Sequence, residues 1–120
     1  MSAFFFQRIN DHIQYLRKLE KTLKGDGDFQ GSLHTDCKLG KWMYGEGHEE
    51  VKRECPDAVG LFESMFDKHQ AFHDAGAVAL AASVEGRTDD MNKAVTEMLK
   101  QSNTLIDILT KLDQFGCKKI

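Results

Sequence analysis

The sequence predicts an all-α protein, an antiparallel four-helix bundle with a long, partly helical loop between its first and second long helices. Apolar residues recur at steps of three and four over three long stretches, which is the spacing of one helix face. The spacing nowhere changes to the alternation of a β-strand, and the later connections are short. A chain of 120 residues has the usual length of one domain, so we expect residues 1–120 to form a single domain.

The first helix is predicted from an apolar seam that begins at Phe5 and continues to Leu23. The seam positions are Phe5, Ile9, His12, Leu16, Leu19 and Leu23. His12 therefore occupies a position that the pattern reserves for a buried side chain. The glycine- and aspartate-rich residues 25–28 are expected to end this helix.

Residues 29–54 are the least regular part of the chain. We expect a loop with short helical turns near residues 37–44 and 48–55. A connection of this length in a compact domain usually has a function. It contains Cys37, the only tryptophan (Trp42), and Gly40, which would let the backbone pass close to the bundle.

The next long helix is predicted to begin at Pro56 and to end near Gly86, because proline suits the first turn of a helix. Its broad apolar face includes His69 and His73. Histidines four residues apart lie one turn apart on the same face, so their rings can bind one ion together.

The last helix is predicted to begin at Thr88 or Asp89, either of which can cap its N-terminus. Its seam contains one polar residue, Ser102, among methionine, valine and leucine. Gly116 is expected to end it.

The composition argues against two classes of partner. The chain is 41% hydrophobic and 29% charged with a net charge of −3, and without a basic stripe we expect no nucleic acid to bind. The longest apolar run, residues 75–84, is too short to span a membrane.

Three scattered cysteines make no disulfide framework, which favours a reducing, cytoplasmic location.

The three seam histidines predict a metal site. A single core-facing histidine is more often an imidazole bonded to a carbonyl oxygen, but three in one small bundle are costly. Each buried imidazole without a partner costs about 1–3 kcal/mol, against a net stability of about 5–15 kcal/mol. One shared cation removes this cost, and Cys37 can supply a fourth ligand. Nitrogen and sulfur donors in a tetrahedron favour zinc. The predicted ligands are His12, Cys37, His69 and His73.

Such a site has no vacant position for a substrate water, so we expect a sensory or structural role and not an enzyme. The other candidates are weaker. His34 could compete as a ligand, and His48 is expected to be solvated among glutamates. Cys55 and Cys117 match no ligand spacing and are expected to be buried or exposed thiols.

Residues 37–47 closely resemble the Cys-x-Leu/Phe-Gly-x-Trp core of the chemoreceptor zinc-binding (CZB) domain family, with Cys37, Leu39, Gly40 and Trp42 in the matching positions. In that family a histidine on the first helix precedes the core and a His-x-x-x-His pair follows it, as His12 and residues 69–73 do here. The resemblance implies a four-helix bundle with a three-histidine, one-cysteine zinc site, often homodimeric. It also implies a role in bacterial signalling, in chemotaxis receptors or diguanylate cyclases, where such domains report zinc or oxidants such as hypochlorous acid. The output would come from a signalling partner in trans or from a fused domain.

Two alternatives come from other classes of protein. An iron-binding bundle of the hemerythrin or ferritin type would need carboxylates on the core faces, and the inward positions here offer none. A plain dimerisation module would leave the histidines without a ligand. The metal content of the purified protein distinguishes the three hypotheses: one zinc per chain, two irons, or no metal.

Overall fold

The computed structural model describes residues 3–114, with side chains from residue 5 onward. Its helices in chain order are α1 (Ala3–Leu23), α2 (Lys38–Tyr44), α3 (Gly47–Glu54), α4 (Val59–Glu63), α5 (Met65–Val84) and α6 (Thr88–Gln114), with a 3₁₀ turn at Pro56–Ala58. Residues 3–114 contain no β-strand, so the predicted all-α class is confirmed. Gly116, the expected end of the last helix, lies outside the described residues.

The three long helices form the frame of the bundle. α6 packs along α5, and α1 contacts both. The turn between α5 and α6 is closed at Gly86, whose φ of 71° is a left-handed conformation that glycine adopts without strain. The next N–H, that of Arg87, donates to the carbonyl oxygen of Ala82 at 2.9 Å and so ends α5. Because the connection is this short, α6 folds back along α5.

The helix predicted from Pro56 to about Gly86 is divided in the structure. It begins with the 3₁₀ turn, continues as α4 and is interrupted at Ser64 before α5. The Ser64 hydroxyl donates to the carbonyl oxygen of Leu61 at 2.6 Å, and the Ser64 N–H contacts the carbonyl oxygens of Gly60 and Leu61. A serine that bonds backward in this way tightens the helical turn locally.

The short helical turns expected in the long loop are present as α2 and α3. They belong to the same core as the long helices, since every helix contributes at least one fully buried large side chain. These are Leu19 from α1, Leu39 and Met43 from α2, Val51 from α3, Phe62 from α4, Met65 and Phe72 from α5, and Met98, Leu105 and Leu109 from α6. The loop is therefore held against the bundle by apolar burial.

The bundle measures 52 × 21 × 21 Å. Within residues 3–114, none of the helices combines the length and the apolar character needed to cross a lipid bilayer.

Candidate metal centre

Cys37 lies at the N-terminus of α2, where its backbone is extended (φ −74°, ψ 163°). Its sulfur accepts a hydrogen bond from the Gly40 N–H at 3.2 Å. This contact turns the half-buried side chain toward α5, and Sγ lies 3.3 Å from Nε2 of His69. The sulfur is thus held between the start of α2 and the buried face of α5.

His69 and His73 lie one turn apart on α5, on the face that the sequence predicted. Their exposed fractions are 0% and 7%, and their ring centroids are 4.7 Å apart. Both rings are therefore inside the bundle, where an imidazole needs either a hydrogen-bond partner or a metal ion.

The structure brings Cys37, His69 and His73 together. One ligand atom from each lies within 4.8 Å of the other two. Ligands of one tetrahedral zinc ion are separated by about 3.3–3.6 Å, given bond lengths of about 2.0–2.1 Å to nitrogen and 2.3 Å to sulfur. The 3.3 Å between Sγ of Cys37 and Nε2 of His69 matches this spacing, and the ligand atom of His73 lies within 4.8 Å of those of the other two residues.

The donor set fits zinc. Nδ1 of His69 is buried and has no hydrogen-bond partner, which is a costly state for a polar atom in a core. The group offers nitrogen and sulfur donors and no carboxylate, whereas a hemerythrin-type di-iron site needs bridging carboxylates. The donor set therefore favours zinc over the iron alternative, whereas the partnerless Nδ1 of His69 shows only that one nitrogen of that buried imidazole lacks a hydrogen bond.

His12 lies in the same core but outside this group of three. It is 2% exposed, and its ring centroid is 4.6 Å from that of Phe72 on α5. Its Nε2 is 2.8 Å from the hydroxyl oxygen of Ser102 on α6, so this nitrogen already has a partner. The assignment of His12 as a metal ligand stays a prediction.

Burial keeps the imidazoles neutral, as metal ligands must be. Loss of solvation, together with the charge of His73, lowers the pKa of His12 from 6.5 to about 4. Loss of solvation and the neighbouring histidines lower the pKa of His69 to about 3, and burial also lowers the pKa of His73. Burial raises the pKa of the Cys37 thiol, against the effect of backbone N–H groups such as that of Gly40. Zinc binding would then release a proton from Cys37 at neutral pH.

Among residues 5–114, the remaining sequence candidates are not part of the group. The His34 ring packs edge-on against His69 with centroids 6.2 Å apart, and His48 is partly buried and pairs with Glu63 at 3.1 Å. Cys55 is buried and disulfide-bonded, so the expectation that it is a thiol is wrong. Cys117 lies outside the described residues.

Sequence reasoning missed the polar partners of the histidines. Ser102 bonds His12, and Tyr15 and Ser32 both contact Nδ1 of His73, at 3.1 and 3.0 Å. One signal was available, since Ser102 is a polar residue in an otherwise apolar seam. Ser32 lies in the loop, where no periodicity relates it to α5.

A family model described as the chemoreceptor zinc-binding domain matches residues 12–80, which is more than half of the chain. The match includes all four predicted ligands. No curated protein and no solved structure matched the chain.

Proposed function

Because this chain belongs to the chemoreceptor zinc-binding domain family, we propose that it is a sensory module whose conformation depends on one zinc ion. The proposed ligands are His12, Cys37, His69 and His73. We further propose that residues 1–120 act as one domain with a regulatory, non-catalytic role. The observation that supports the proposal most directly is the group formed by the sulfur of Cys37 and the rings of His69 and His73.

The ligands come from three separate segments of the chain, so a bound ion would cross-link them. His12 belongs to α1, Cys37 caps the N-terminus of α2, and the histidine pair belongs to α5. Of these segments, α2 is the shortest, with seven residues. A helix this short is marginal by itself, so its position depends on tertiary contacts. We infer that α2 is the part that responds to the state of the site.

Trp42 connects the site to the rest of the core. It lies on α2, is 3% exposed and packs edge-on against Phe5 of α1 and Phe62 of α4, with centroid distances of 6.2 and 5.3 Å. A movement of α2 would therefore change the packing of both neighbours. This is the proposed route from the metal site to the packing of α1 and α4.

Two signals can act on this route. Loss of zinc removes the link between α2 and α5. Alternatively, hypochlorous acid converts the Cys37 thiolate to a sulfenic acid with release of chloride, and the oxidised sulfur is a poorer ligand. Both would release the N-terminus of α2. We propose that the change is read by a signalling partner or a fused output domain, with the chain acting as a homodimer.

The metal content of the purified full chain tests the proposal. We expect one zinc per chain, measured by elemental analysis, and replacement of any of the four ligands by alanine should weaken zinc affinity in competition with a chelator. His48→Ala is the matched control, since His48 is a partly buried histidine that pairs with Glu63 and lies outside the ligand group. Iron or no metal in the wild type would refute the zinc function, and a His12→Ala variant that binds like His48→Ala would remove His12 from the ligand set.

The choice between the two signals needs a separate experiment. Zinc release is followed with a chromogenic chelator in the wild type and in Cys37→Ser, each with and without hypochlorous acid, because loss of a ligand already speeds release from the variant. Release that hypochlorous acid accelerates more in the wild type than in Cys37→Ser supports oxidant sensing. Equal acceleration, or none in either protein, leaves zinc occupancy as the signal.

A further inference from the structure

We propose that Tyr15 and Ser32 are positioning residues that hold His73 in the tautomer able to bind a metal through Nε2. This inference rests on the proposed function, because it takes His73 as a ligand. It concerns an arrangement of three residues from α1, the loop before α2, and α5.

The tautomer follows from the chemistry of the Ser32 backbone. The carbonyl oxygen of Ser32 lies 3.0 Å from Nδ1 of His73. A carbonyl oxygen only accepts hydrogen bonds, so Nδ1 must carry the hydrogen for this contact to be one. A neutral imidazole has one N–H, which leaves Nε2 with the lone pair that a metal ion needs.

Tyr15 holds both backbone groups of Ser32. The Ser32 N–H donates to the Tyr15 oxygen at 2.9 Å, and the Tyr15 hydroxyl donates to the Ser32 carbonyl oxygen at 3.4 Å. The same hydroxyl lies 3.1 Å from Nδ1 of His73. If Tyr15 donated to Nδ1 instead, Nδ1 would lack a hydrogen, the Ser32 carbonyl would lose its donor, and Nε2 would be protonated. Only the first arrangement gives both the Ser32 carbonyl oxygen and Nδ1 of His73 a hydrogen-bond partner of the right kind.

The position of the Tyr15 hydroxyl is fixed by packing. The Tyr15 ring lies edge-on to the Phe29 ring, with 5.1 Å between their centroids, and it also contacts the rings of Phe72 and His73. Gly31, in the loop, lies next to the Tyr15 hydroxyl and has a left-handed φ of 77°. A Cβ added to Gly31 would lie 3.2 Å from the Tyr15 oxygen. A partner held in this way is expected to orient a ligand and to raise metal affinity about 10–100-fold.

The decisive measurement is the tautomer of His73 in the metal-free full chain. Proton–nitrogen correlation spectra of the ¹⁵N-labelled protein at pH 7.5 distinguish Nδ1–H from Nε2–H. We expect the Nδ1–H form in the wild type and a mixture in Tyr15→Phe, which keeps the ring and loses only the hydroxyl. Zinc affinity of Tyr15→Phe should fall about 10-fold. Tyr44→Phe is the control, because Tyr44 is half-exposed and packs against His34 and Phe66 instead of His73.

The outcomes separate this inference from the proposed function. A wild type with His73 mainly as Nε2–H overturns the inference, and so does a Tyr15→Phe protein with an unchanged tautomer, whatever its zinc affinity. Should Tyr15→Phe fold poorly, Gly31→Ala crowds the same hydroxyl by a few tenths of an ångström and strains the loop at a left-handed residue, and it must shift the tautomer in the same direction. A wild type that binds no zinc refutes the function, while the tautomer still tests the role of Tyr15.

Discussion

Replacement of Gly40 by alanine tests how closely the Cys37 segment is fitted to the bundle. A Cβ built on Gly40 would lie 1.8 Å from the carbonyl oxygen of His34 and 3.2 Å from Cε1 of His69. Since Cβ contacts under 3.0 Å are essentially never observed, the backbone must move by at least about 1.2 Å. The atom in the way belongs to the main chain, so no side-chain rotation can relieve the clash.

The displacement acts directly on the proposed site. The Gly40 N–H donates to the sulfur of Cys37, and that sulfur lies 3.3 Å from His69. Metal–ligand distances tolerate only about 0.2 Å, so a shift above 1 Å should remove Cys37 as a ligand. We expect zinc affinity to fall roughly 100-fold, the upper end of what residues that orient ligands contribute. Overpacking should also cost about 1–3 kcal/mol, or about 4–12 °C in Tm.

Gly60→Ala is the matched control for this experiment. Gly60 lies in α4, and a Cβ added there meets no atom within 4 Å. Alanine is favoured over glycine in a helix by about 1 kcal/mol, so this variant should be slightly more stable and bind zinc normally. Chelator competition and thermal unfolding of both variants provide the comparison. A Gly40→Ala protein with wild-type zinc affinity and Tm would refute the reasoning.

Three further predictions concern the histidines and the thiol. In the metal-free protein, folding lowers the pKa values of His12 and His69 below 6.5, so on acidification the unfolded state binds protons before the folded state does. The free energy of unfolding is therefore highest above pH 6.5 and decreases as the pH falls toward 4. Urea unfolding should show a loss approaching about 1.4 kcal/mol per pH unit for each histidine, and a flat profile between pH 7.5 and 5 would contradict the burial of these rings. Cys37→Ala should lower zinc affinity and leave the metal-free Tm nearly unchanged, because the side chain is only half-buried; loss of folded protein by circular dichroism, even with zinc present, would count against it. Ser102→Ala should cost about 1–3 kcal/mol in the metal-free protein because it leaves His12 Nε2 without its partner, and equal urea midpoints would show that this hydrogen bond contributes nothing.

The sequence predicts the elements of this fold well because each depends on neighbours a few residues away. The seams that contain His12, His69 and His73 follow from the helical period, and all three side chains are buried as predicted. The short helices α2 and α3 match the helical turns expected near residues 37–44 and 48–55. The interruption at Ser64 was missed, because one serine hydrogen bond decides it and the apolar pattern continues through it.

The sequence by itself determined which residue types could bind a metal and which helix faces they occupy, since side-chain chemistry and helical spacing are local properties. Only the tertiary structure decided which atoms meet. The contact between Cys37 and His69 joins residues 32 apart, the one between Tyr15 and His73 joins residues 58 apart, and the one between His12 and Ser102 joins residues 90 apart. Such contacts are fixed by how the helices pack and by the path of the loop between α1 and α2. The helical period cannot predict these contacts, because they join side chains on different helices and loops at sequence separations that follow no regular spacing.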